Sequence, residues 1–219
     1  MPFADRAEAG RRLAAALEKY RDARPAVLAL PRGGVPVGAE IAAALGAPLD
    51  LVLVRKIGLP GQPELAMGAV VDGDRPIVVR NEDVMHAVGV SQAGFDAVCR
   101  AEMKEIERRR RRYMAGRARV DVSGRTAIVV DDGVATGATM RSALRAVRTR
   151  GPAGLVLAVP VAPTDTLSAM QGEADAIVCL ESYPFFGAIG AYYRDFDQLG
   201  DEEVIALLDA AAARQAGRR

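Results

Sequence analysis

The sequence has 219 residues, half of them apolar, and its 29 Lys and Arg residues nearly balance 28 Asp and Glu residues, leaving a net charge of +1. This length fits one sizeable domain, and this charge excludes a general attraction to nucleic acid or to an anionic membrane, so we expect anions to be bound locally. A single histidine argues against a histidine-based zinc site and a Ser-His-Asp triad, and the charged N-terminus without any long apolar run predicts a cytoplasmic protein.

The first predicted elements are a helix and then a strand-helix-strand unit. Asp5 with Glu8 three residues later has the spacing of a capping box and predicts the start of the first helix. Apolar runs at 26–30 and 49–54 predict two buried strands, and the segment 39–45 predicts a helix between them. Such a βαβ unit places its two strands parallel in one sheet.

The same alternation returns after a weaker middle segment. Weaker strands are predicted at 66–71 and 77–79, and a helical stretch of about 24 residues begins at Ser91. The later elements are predicted as strand 126–130, helix 138–150, strand 155–159, a short helix near Leu167 and strand 176–180. Near-continuous apolar strands that alternate with helices indicate an α/β fold with a parallel, doubly wound sheet.

Two adjacent aspartates, Asp131 and Asp132, follow the strand at 126–130 and precede a loop of small residues. In parallel sheets ligands bind beyond the carboxyl ends of the strands. Neighbouring carboxylates repel each other and resist burial, so at this rim they are better suited to accept ligand hydroxyls or a magnesium-bound water than to packing. Thr136 and Thr139 add hydroxyl donors, and the N-terminus of the next helix favours a phosphate. The pattern therefore predicts a ribose 5-phosphate site, and an ordinary βα turn with Asp as a helix cap is the alternative.

The segment DDGVATGAT, from Asp131 to Thr139, resembles the phosphoribosyl-diphosphate signature of the type I phosphoribosyltransferases. The resemblance implies one domain over 1–219, with a core at about 20–165, an inserted β and helical segment at about 56–118 and a C-terminal hood at about 180–215. It implies that the two aspartates bind the ribose hydroxyls and hold magnesium through water. The residues implied for the 5-phosphate are Ala135, Thr136, Gly137, Ala138 and Thr139.

The segment Leu30-Pro-Arg-Gly-Gly34 is similar to the pyrophosphate loop of that family. The resemblance implies that Arg32, Gly33 and Gly34 bind pyrophosphate. In the family a non-proline cis peptide often turns backbone amides toward the diphosphate, and we expect it here at Arg32–Gly33. A simple tight turn is the alternative reading of this segment.

Two cations, Arg55 and Lys56, follow the second predicted strand and precede a segment at 57–63 that is rich in Gly and Pro. By position this segment looks like the flexible loop of the family, which folds over the reacting centre and excludes water. The resemblance implies that both cations are catalytic. Solvated charges at the end of a strand are the alternative.

The C-terminal segment from 184 to 196 resembles the end of the 6-oxopurine members of the family. The resemblance implies that Phe185 or Phe186 stacks on the base, that Asp195 lies at the polar edge of the base, and that Arg194 lies near the diphosphate. Packing in the core is the alternative for each aromatic ring.

These segments together predict a magnesium-dependent phosphoribosyltransferase, which transfers ribose 5-phosphate from 5-phosphoribosyl 1-diphosphate to a nitrogenous base and releases pyrophosphate. The base stays open, because Ala135 stands where purine-using members commonly carry an aspartate. A catalytically inactive regulator that binds phosphoribosyl diphosphate or a nucleotide is the alternative function, and a sugar-phosphate or nucleotide binder of unrelated mechanism is a third. We also expect a homodimer.

Five consecutive arginines, from Arg108 to Arg112, lie in the long predicted helix. Consecutive residues spread around a helix and cannot form one face, and glutamates one turn earlier provide favourable pairs. This pattern predicts a solvated helix with Arg110 exposed. Contact with nucleic acid and a role in oligomerisation or closure are the alternatives.

Overall fold

The computed structural model describes residues 3–73, 76–114 and 116–217, without the side chains at positions 63 and 64. The strands are β1 (Ala26–Ala29), β2 (Leu49–Leu51), β3 (Val54–Leu59), β4 (Gln62–Val71), β5 (Ile77–Arg80), β6 (Thr126–Val130), β7 (Gly154–Pro163) and β8 (Ala176–Tyr183). The helices are α1 (Arg6–Ala16), α2 (Gly34–Leu45), α3 (Glu82–Val88), α4 (Gln92–Met114), α5 (Ala138–Arg148), α6 (Thr164–Ala169) and α7 (Asp201–Ala216). Short 3-10 turns occur at Glu18–Tyr20 and Ile189–Tyr192.

The main sheet has five parallel strands in the order β2-β1-β6-β7-β8. Strands β1 and β6 are buried along their whole length, which agrees with their unbroken apolar sequences. Successive residues of a strand point to opposite faces, so Ile128 packs with α1 and α2 whereas Val129 packs with α5. Helices cover both faces, and the predicted parallel, doubly wound α/β fold is confirmed.

The strand order reverses between β1 and β6. From β1 the chain continues to β2 on one side, and from β6 it continues to β7 on the other side. In open α/β sheets the crevice at the carboxyl ends of two such strands is where ligands bind. The loop after β1 contains the segment 30–34, and the loop after β6 contains 131–137. The fold therefore brings the two segments with the strongest functional signals to the same edge of the sheet.

A second, antiparallel sheet in the order β3-β4-β5 begins where the main sheet ends. The predicted strand at 49–54 breaks after β2, because Val52 still donates to Ala29 of the main sheet whereas Leu53 accepts from Asp72 of the second. The segment 57–63, which looks by position like the flexible loop of the family, forms a β3–β4 hairpin whose strands pair as far as Leu59 and Gln62.

The hairpin forms because its sequence supplies both an anchor and a turn. Ile57 is fully buried and packs in one core cluster with Met67 and with Phe95 of α4. Pro60 and Gly61 connect the strands, and Gly61 has a φ of +84°, a left-handed conformation that glycine adopts at little cost. The hairpin therefore holds Arg55 and Lys56 on a strand rather than at the start of a loop.

The helix predicted from Ser91 is confirmed as α4, and the Ser91 hydroxyl accepts a hydrogen bond of 3.2 Å from the amide of Gly94. The inner face of α4 packs against the second sheet and against α7. The sequence patterns do not predict α3 or α7. Among the described residues, no helix combines the length and the apolar character needed to cross a membrane.

Arg110 lies inside the protein, so the prediction that it is exposed is wrong. Its side chain is 15% exposed, and it donates a hydrogen bond of 2.6 Å to Asp72 after β4. A second nitrogen lies 3.8 Å from the buried carboxylate of Asp50. The physical reason is helical periodicity, because position 110 lies one turn after the buried Ile106 and shares its face. Through these two carboxylates, Arg110 thus connects α4 to β2 and to the end of β4.

Replacing Arg110 by alanine is expected to lower the free energy of unfolding by about 2–4 kcal/mol, because two buried carboxylates would lose a cationic partner. Urea denaturation measures this change. Arg111→Ala is the matched control, since Arg111 is 77% exposed and pairs with Glu107 on its own helix; its effect is expected to stay within about 0.5 kcal/mol. Equal effects of the two variants would contradict the assigned role of Arg110.

Candidate active site

Asp131 follows the last residue of β6 and lines a cavity of about 210 Å³ together with the loop from Gly133 to Met140. One of its carboxylate oxygens accepts a hydrogen bond of 2.9 Å from the amide of Asp132. Burial and the neighbouring charge of Asp132 raise the pKa of Asp131 well above its ordinary value. Asp131 is therefore a hydrogen-bond acceptor at the wall of a cavity, without a cationic partner of its own among the described residues.

Asp132 has a different environment, because the N-terminal helix supplies its partner. Nε of Arg6 donates a hydrogen bond of 2.7 Å to the Asp132 carboxylate, and the two side chains are only 12% and 11% exposed. The Arg6 guanidinium lies 3.8 Å from the centre of the Phe196 ring. The Tyr193 hydroxyl donates a hydrogen bond of 2.6 Å to the backbone carbonyl of Asp132. The structure thus holds Asp132 firmly and leaves Asp131 to face the cavity.

This difference predicts opposite effects on stability. Asp132→Asn is expected to lower the free energy of unfolding by about 2–4 kcal/mol, because Arg6 would lose its charge partner in a mostly buried site. Asp131→Asn is expected to raise it, because the neutral amide avoids both desolvation and repulsion by Asp132. Chemical denaturation of the two variants and the wild type measures both effects.

The effect of Asp131→Asn depends on pH in a defined direction. A carboxyl group whose pKa is raised in the folded state destabilises that state when it ionises. The gain from Asp131→Asn should therefore appear as the pH rises above about 4 and vanish below that pH, where wild-type Asp131 is protonated in the folded and unfolded states. A gain that grew as the pH fell would contradict the assigned environment.

Gly33 and Gly34 place the loop after β1 directly against the aspartates. A Cβ atom at Gly33 would overlap the Asp132 carboxylate, and one at Gly34 would lie 2.7 Å from the carbonyl oxygen of Val130. Only glycine allows such close approach of the two loops. The segment predicted to bind pyrophosphate is therefore adjacent to the pair predicted to bind ribose.

The structure has a non-proline cis peptide in this loop, at Pro31–Arg32, and the expectation of a cis bond at Arg32–Gly33 is wrong by one residue. The reason is that Gly33 already has helical angles, φ −58° and ψ −38°, and the Arg32 carbonyl accepts from the Val35 amide. The peptide between Arg32 and Gly33 thus belongs to the first turn of α2. The Arg32 side chain donates a hydrogen bond of 2.6 Å to the carbonyl of Leu199.

The loop after the aspartates has the geometry expected of a phosphate site. Gly137 has a φ of +76°, and a Cβ atom there would overlap the methyl group of Met170. Gly137 also precedes the first residue of α5 without a capping side chain, so the first amides of that helix have no partner within the helix. Solvent reaches the four other residues predicted for the 5-phosphate, Ala135, Thr136, Ala138 and Thr139.

Arg55 and Lys56 lie on β3 and line two different cavities that both contain Thr139. Arg55 lines a crevice of about 60 Å³ with Pro31 and Asp131, and its Nε donates a hydrogen bond of 2.6 Å to Glu102 of α4. Lys56 lines a larger cavity of about 700 Å³, which also contains Thr136. The structure therefore brings both predicted cations to the loop predicted to bind the 5-phosphate, from the side of the second sheet.

The C-terminal segment meets the site through Ile189, which lines the same 210 Å³ cavity as Asp131. Phe185 is 92% exposed, and Phe186 stacks on Tyr192 with ring centres 4.8 Å apart. Arg194 and Asp195 are exposed, and their backbone amides donate to the carbonyls of Phe3 and Ala4. The structure thus packs Phe186 against another ring and leaves Phe185 in solvent. Within the described part of the chain, no hydrogen bond or ion pair joins the side chains of Arg194 or Asp195 to the two aspartates.

The protein-family model described as the phosphoribosyl transferase domain matches residues 4–197, which is most of the chain. The chain belongs to the phosphoribosyl transferase domain family. Two Mycobacterium tuberculosis proteins, named "Putative phosphoribosyl transferase MT0597" and "Putative phosphoribosyl transferase Rv0571c", are each 46% identical over 209 residues, covering 95% of this chain and 47% of the relative. The chain therefore spans about half the length of the curated relatives it matches.

A solved structure extends this similarity to three dimensions. The crystal structure of TT1426 from Thermus thermophilus has a TM-score of 0.82 and 41% sequence identity, and the match covers 95% of this chain and 98% of that one. The similarity includes the inserted sheet and α4, because it extends over nearly the whole of both chains. This phosphoribosyl transferase domain thus shares its architecture with a known protein.

Arg6 is the residue of this site that the sequence patterns miss. It lies in the first turn of α1, and its contact with Asp132 joins residues that are 126 positions apart. The capping signal at Asp5 predicts where α1 begins, but it does not show what the helix contacts. A local pattern therefore had no means of identifying Arg6.

Proposed function

We propose that this domain binds 5-phosphoribosyl 1-diphosphate and transfers its ribose 5-phosphate to a nitrogenous base, with release of pyrophosphate. The observation that carries the proposal is that Asp131 and the loop 133–139 line one cavity of about 210 Å³. A carboxylate accepts hydrogen bonds from ribose hydroxyls, and the first amides of α5 with the hydroxyls of Thr136 and Thr139 suit a 5-phosphate. The two ends of ribose 5-phosphate thus have partners in the same cavity.

The proposed reaction exchanges one bond at the anomeric carbon for another. The bond from that carbon to the diphosphate oxygen breaks, and its electron pair leaves with pyrophosphate. A nitrogen of the base forms the new bond and loses its proton to solvent. Positive charge grows on the sugar in the transition state, as in glycoside cleavage, and negative charge grows on the leaving group. Arg55 and Lys56 stabilise that negative charge, and the reaction needs no covalent nucleophile from the protein.

Magnesium fits this site as an ion that arrives with the diphosphate. In the described ranges no three His, Cys, Asp or Glu side chains cluster as metal ligands. Magnesium does not need such a cluster, since it usually keeps several waters and binds one or two carboxylates together with substrate phosphates. Asp131 faces the cavity and suits a water-mediated contact, whereas an oxygen of Asp132 is occupied by Arg6. When bound, magnesium would neutralise charge on the diphosphate.

Two further subsites complete the proposal. The backbone of Gly33 and Gly34 lies against the aspartates and suits the diphosphate. Arg32, which donates to the carbonyl of Leu199, and the exposed Arg194 complete the residues proposed for the diphosphate. For the base, Phe186 beside Ile189 suits stacking better than the solvent-exposed Phe185. Three further points stay predictions from the sequence: the position of Asp195 at the polar edge of the base, association as a homodimer, and a cytoplasmic location.

Pyrophosphate release in the presence of magnesium, phosphoribosyl diphosphate and a panel of purine and pyrimidine bases tests the proposed reaction. We expect at least one base to support continuous release. Because Ala135 replaces the aspartate that purine-using relatives commonly carry, the panel must extend beyond the 6-oxopurines. Tight binding of phosphoribosyl diphosphate without release for any base would favour the regulator over the enzyme.

A further inference from the structure

We propose that Arg109, on the inserted helix α4, is a second diphosphate-binding residue beside Arg55. The proposal rests on the proposed function and adds a residue to it. It assigns a role to one member of the five-arginine run, whose sequence pattern predicts a solvated helix. The ligand it would take is an inorganic diphosphate or a diphosphate ester.

The 60 Å³ crevice beside the aspartates carries this inference. Arg109 lines it together with Pro31, Arg55, Asp131 and Thr139. These residues come from the loop after β1, from β3, from the end of β6 and from the first turn of α5. Arg109 therefore meets the predicted pyrophosphate loop, a predicted catalytic cation and the predicted ribose site at one point, in a space that suits a single phosphoryl group or a few water molecules.

Helical periodicity directs Arg109 toward the crevice. It lies three residues after Ile106 and four residues before Tyr113, and those two side chains are 4% and 3% exposed. Its own side chain is 34% exposed, whereas Arg108 is 58% exposed. Arg109 thus occupies the inner face of α4, at the point where that face is not sealed by packing.

Arg55 and Arg109 are held in the same way, each by a glutamate of α4. Nε of Arg55 donates to Glu102 at 2.6 Å, and Nε of Arg109 donates to Glu105 at 2.8 Å. In the described part of the chain neither guanidinium makes a further hydrogen bond. The terminal nitrogens of both arginines are therefore available to an anion. Because a guanidinium presents its donors as a planar fork, two of them in one crevice suit the oxygens of a diphosphate.

Titrations with two probes separate the diphosphate site from the ribose site. Arg109→Ala is expected to weaken the binding of inorganic pyrophosphate about tenfold or more, because a charged hydrogen-bond partner is lost. The same variant should bind ribose 5-phosphate within about twofold of the wild type, since the cavity at 133–139 is unchanged. Arg109→Lys should recover part of the pyrophosphate affinity, because it keeps the charge but not the fork.

Arg108→Ala is the matched control, because Arg108 pairs with the same carboxylate, Glu105, at 2.8 Å but does not line the crevice. We expect it to change neither titration. The proposal is overturned if Arg109→Ala binds pyrophosphate like the wild type, or if Arg108→Ala weakens it equally. Should Arg109→Ala fail to fold, Arg109→Lys replaces it: loss of the planar fork should still weaken pyrophosphate binding, and wild-type pyrophosphate affinity in Arg109→Lys would overturn the proposal. A wild type that binds no phosphoribosyl diphosphate would instead remove the proposed function itself.

Discussion

Replacing Arg55 by alanine is expected to lower kcat by about 10²-fold or more, equivalent to ~3 kcal/mol, while the affinity for phosphoribosyl diphosphate falls by less than about tenfold. The reason is that negative charge on the leaving diphosphate grows toward the transition state, so a cation beside it contributes more there than in the bound substrate. Steady-state kinetics with an accepted base, together with calorimetric titration of the substrate, measures the two effects separately. Lys56→Ala should show the same asymmetry.

Glu102→Gln is the control for Arg55. It weakens the 2.6 Å contact that holds the Arg55 side chain but keeps the cation itself, so kcat should fall by less than about tenfold. A protein that only binds the ligand has no transition state to stabilise and would show no such asymmetry. If Arg55→Ala turned over an accepted base at the wild-type rate, its catalytic role would have to be abandoned.

Asp131→Asn is expected to weaken the binding of phosphoribosyl diphosphate by about 10–100-fold, because an amide accepts hydrogen bonds from the ribose hydroxyls less strongly than a carboxylate. The same substitution is expected to stabilise the free protein, so weaker binding cannot be attributed to unfolding. Asp132→Asn should behave in the opposite way: it should destabilise the free protein, and it should weaken the binding of phosphoribosyl diphosphate less than Asp131→Asn does. Equal loss of affinity in both variants would contradict the distinction between the two carboxylates.

The main sheet was predictable because its signals are local. Strands β1 and β6 are unbroken apolar runs, Gly46 ends α2 in a left-handed conformation, and Asp5 caps α1 through the amide of Glu8. Each of these features is determined within a few residues of sequence. The parallel arrangement then follows from the alternation of strands with helices.

Local sequence patterns also mark the hairpin and the inner face of α4, although the predictions above did not use them. Pro60-Gly61 is a turn signal between two stretches with strand character, and Ile106 with Tyr113 marks the inner face on which Arg109 and Arg110 lie. The charge of the arginine run alone does not reveal this face, because only the positions of the arginines along the helix show which of them lie beside Ile106 and Tyr113.

Contacts between distant segments were beyond the sequence. Arg6 reaches Asp132, and the glycines of the loop after β1 pack against the aspartates after β6. Such contacts depend on how whole elements are placed, and a single sequence shows residue types but not their distances. For this reason the two adjacent aspartates looked equivalent in sequence, whereas the fold gives them different partners.

Calorimetric titration of phosphoribosyl diphosphate into the wild-type protein with magnesium tests the central claim most directly, namely that Asp131 and the loop 133–139 form the site for this ligand. We predict one site per chain with a Kd of tens of micromolar or tighter, about −6 kcal/mol, and weaker binding of ribose 5-phosphate, which lacks the diphosphate. Absence of saturable binding at millimolar ligand, or wild-type affinity in Asp131→Asn, would contradict the claim.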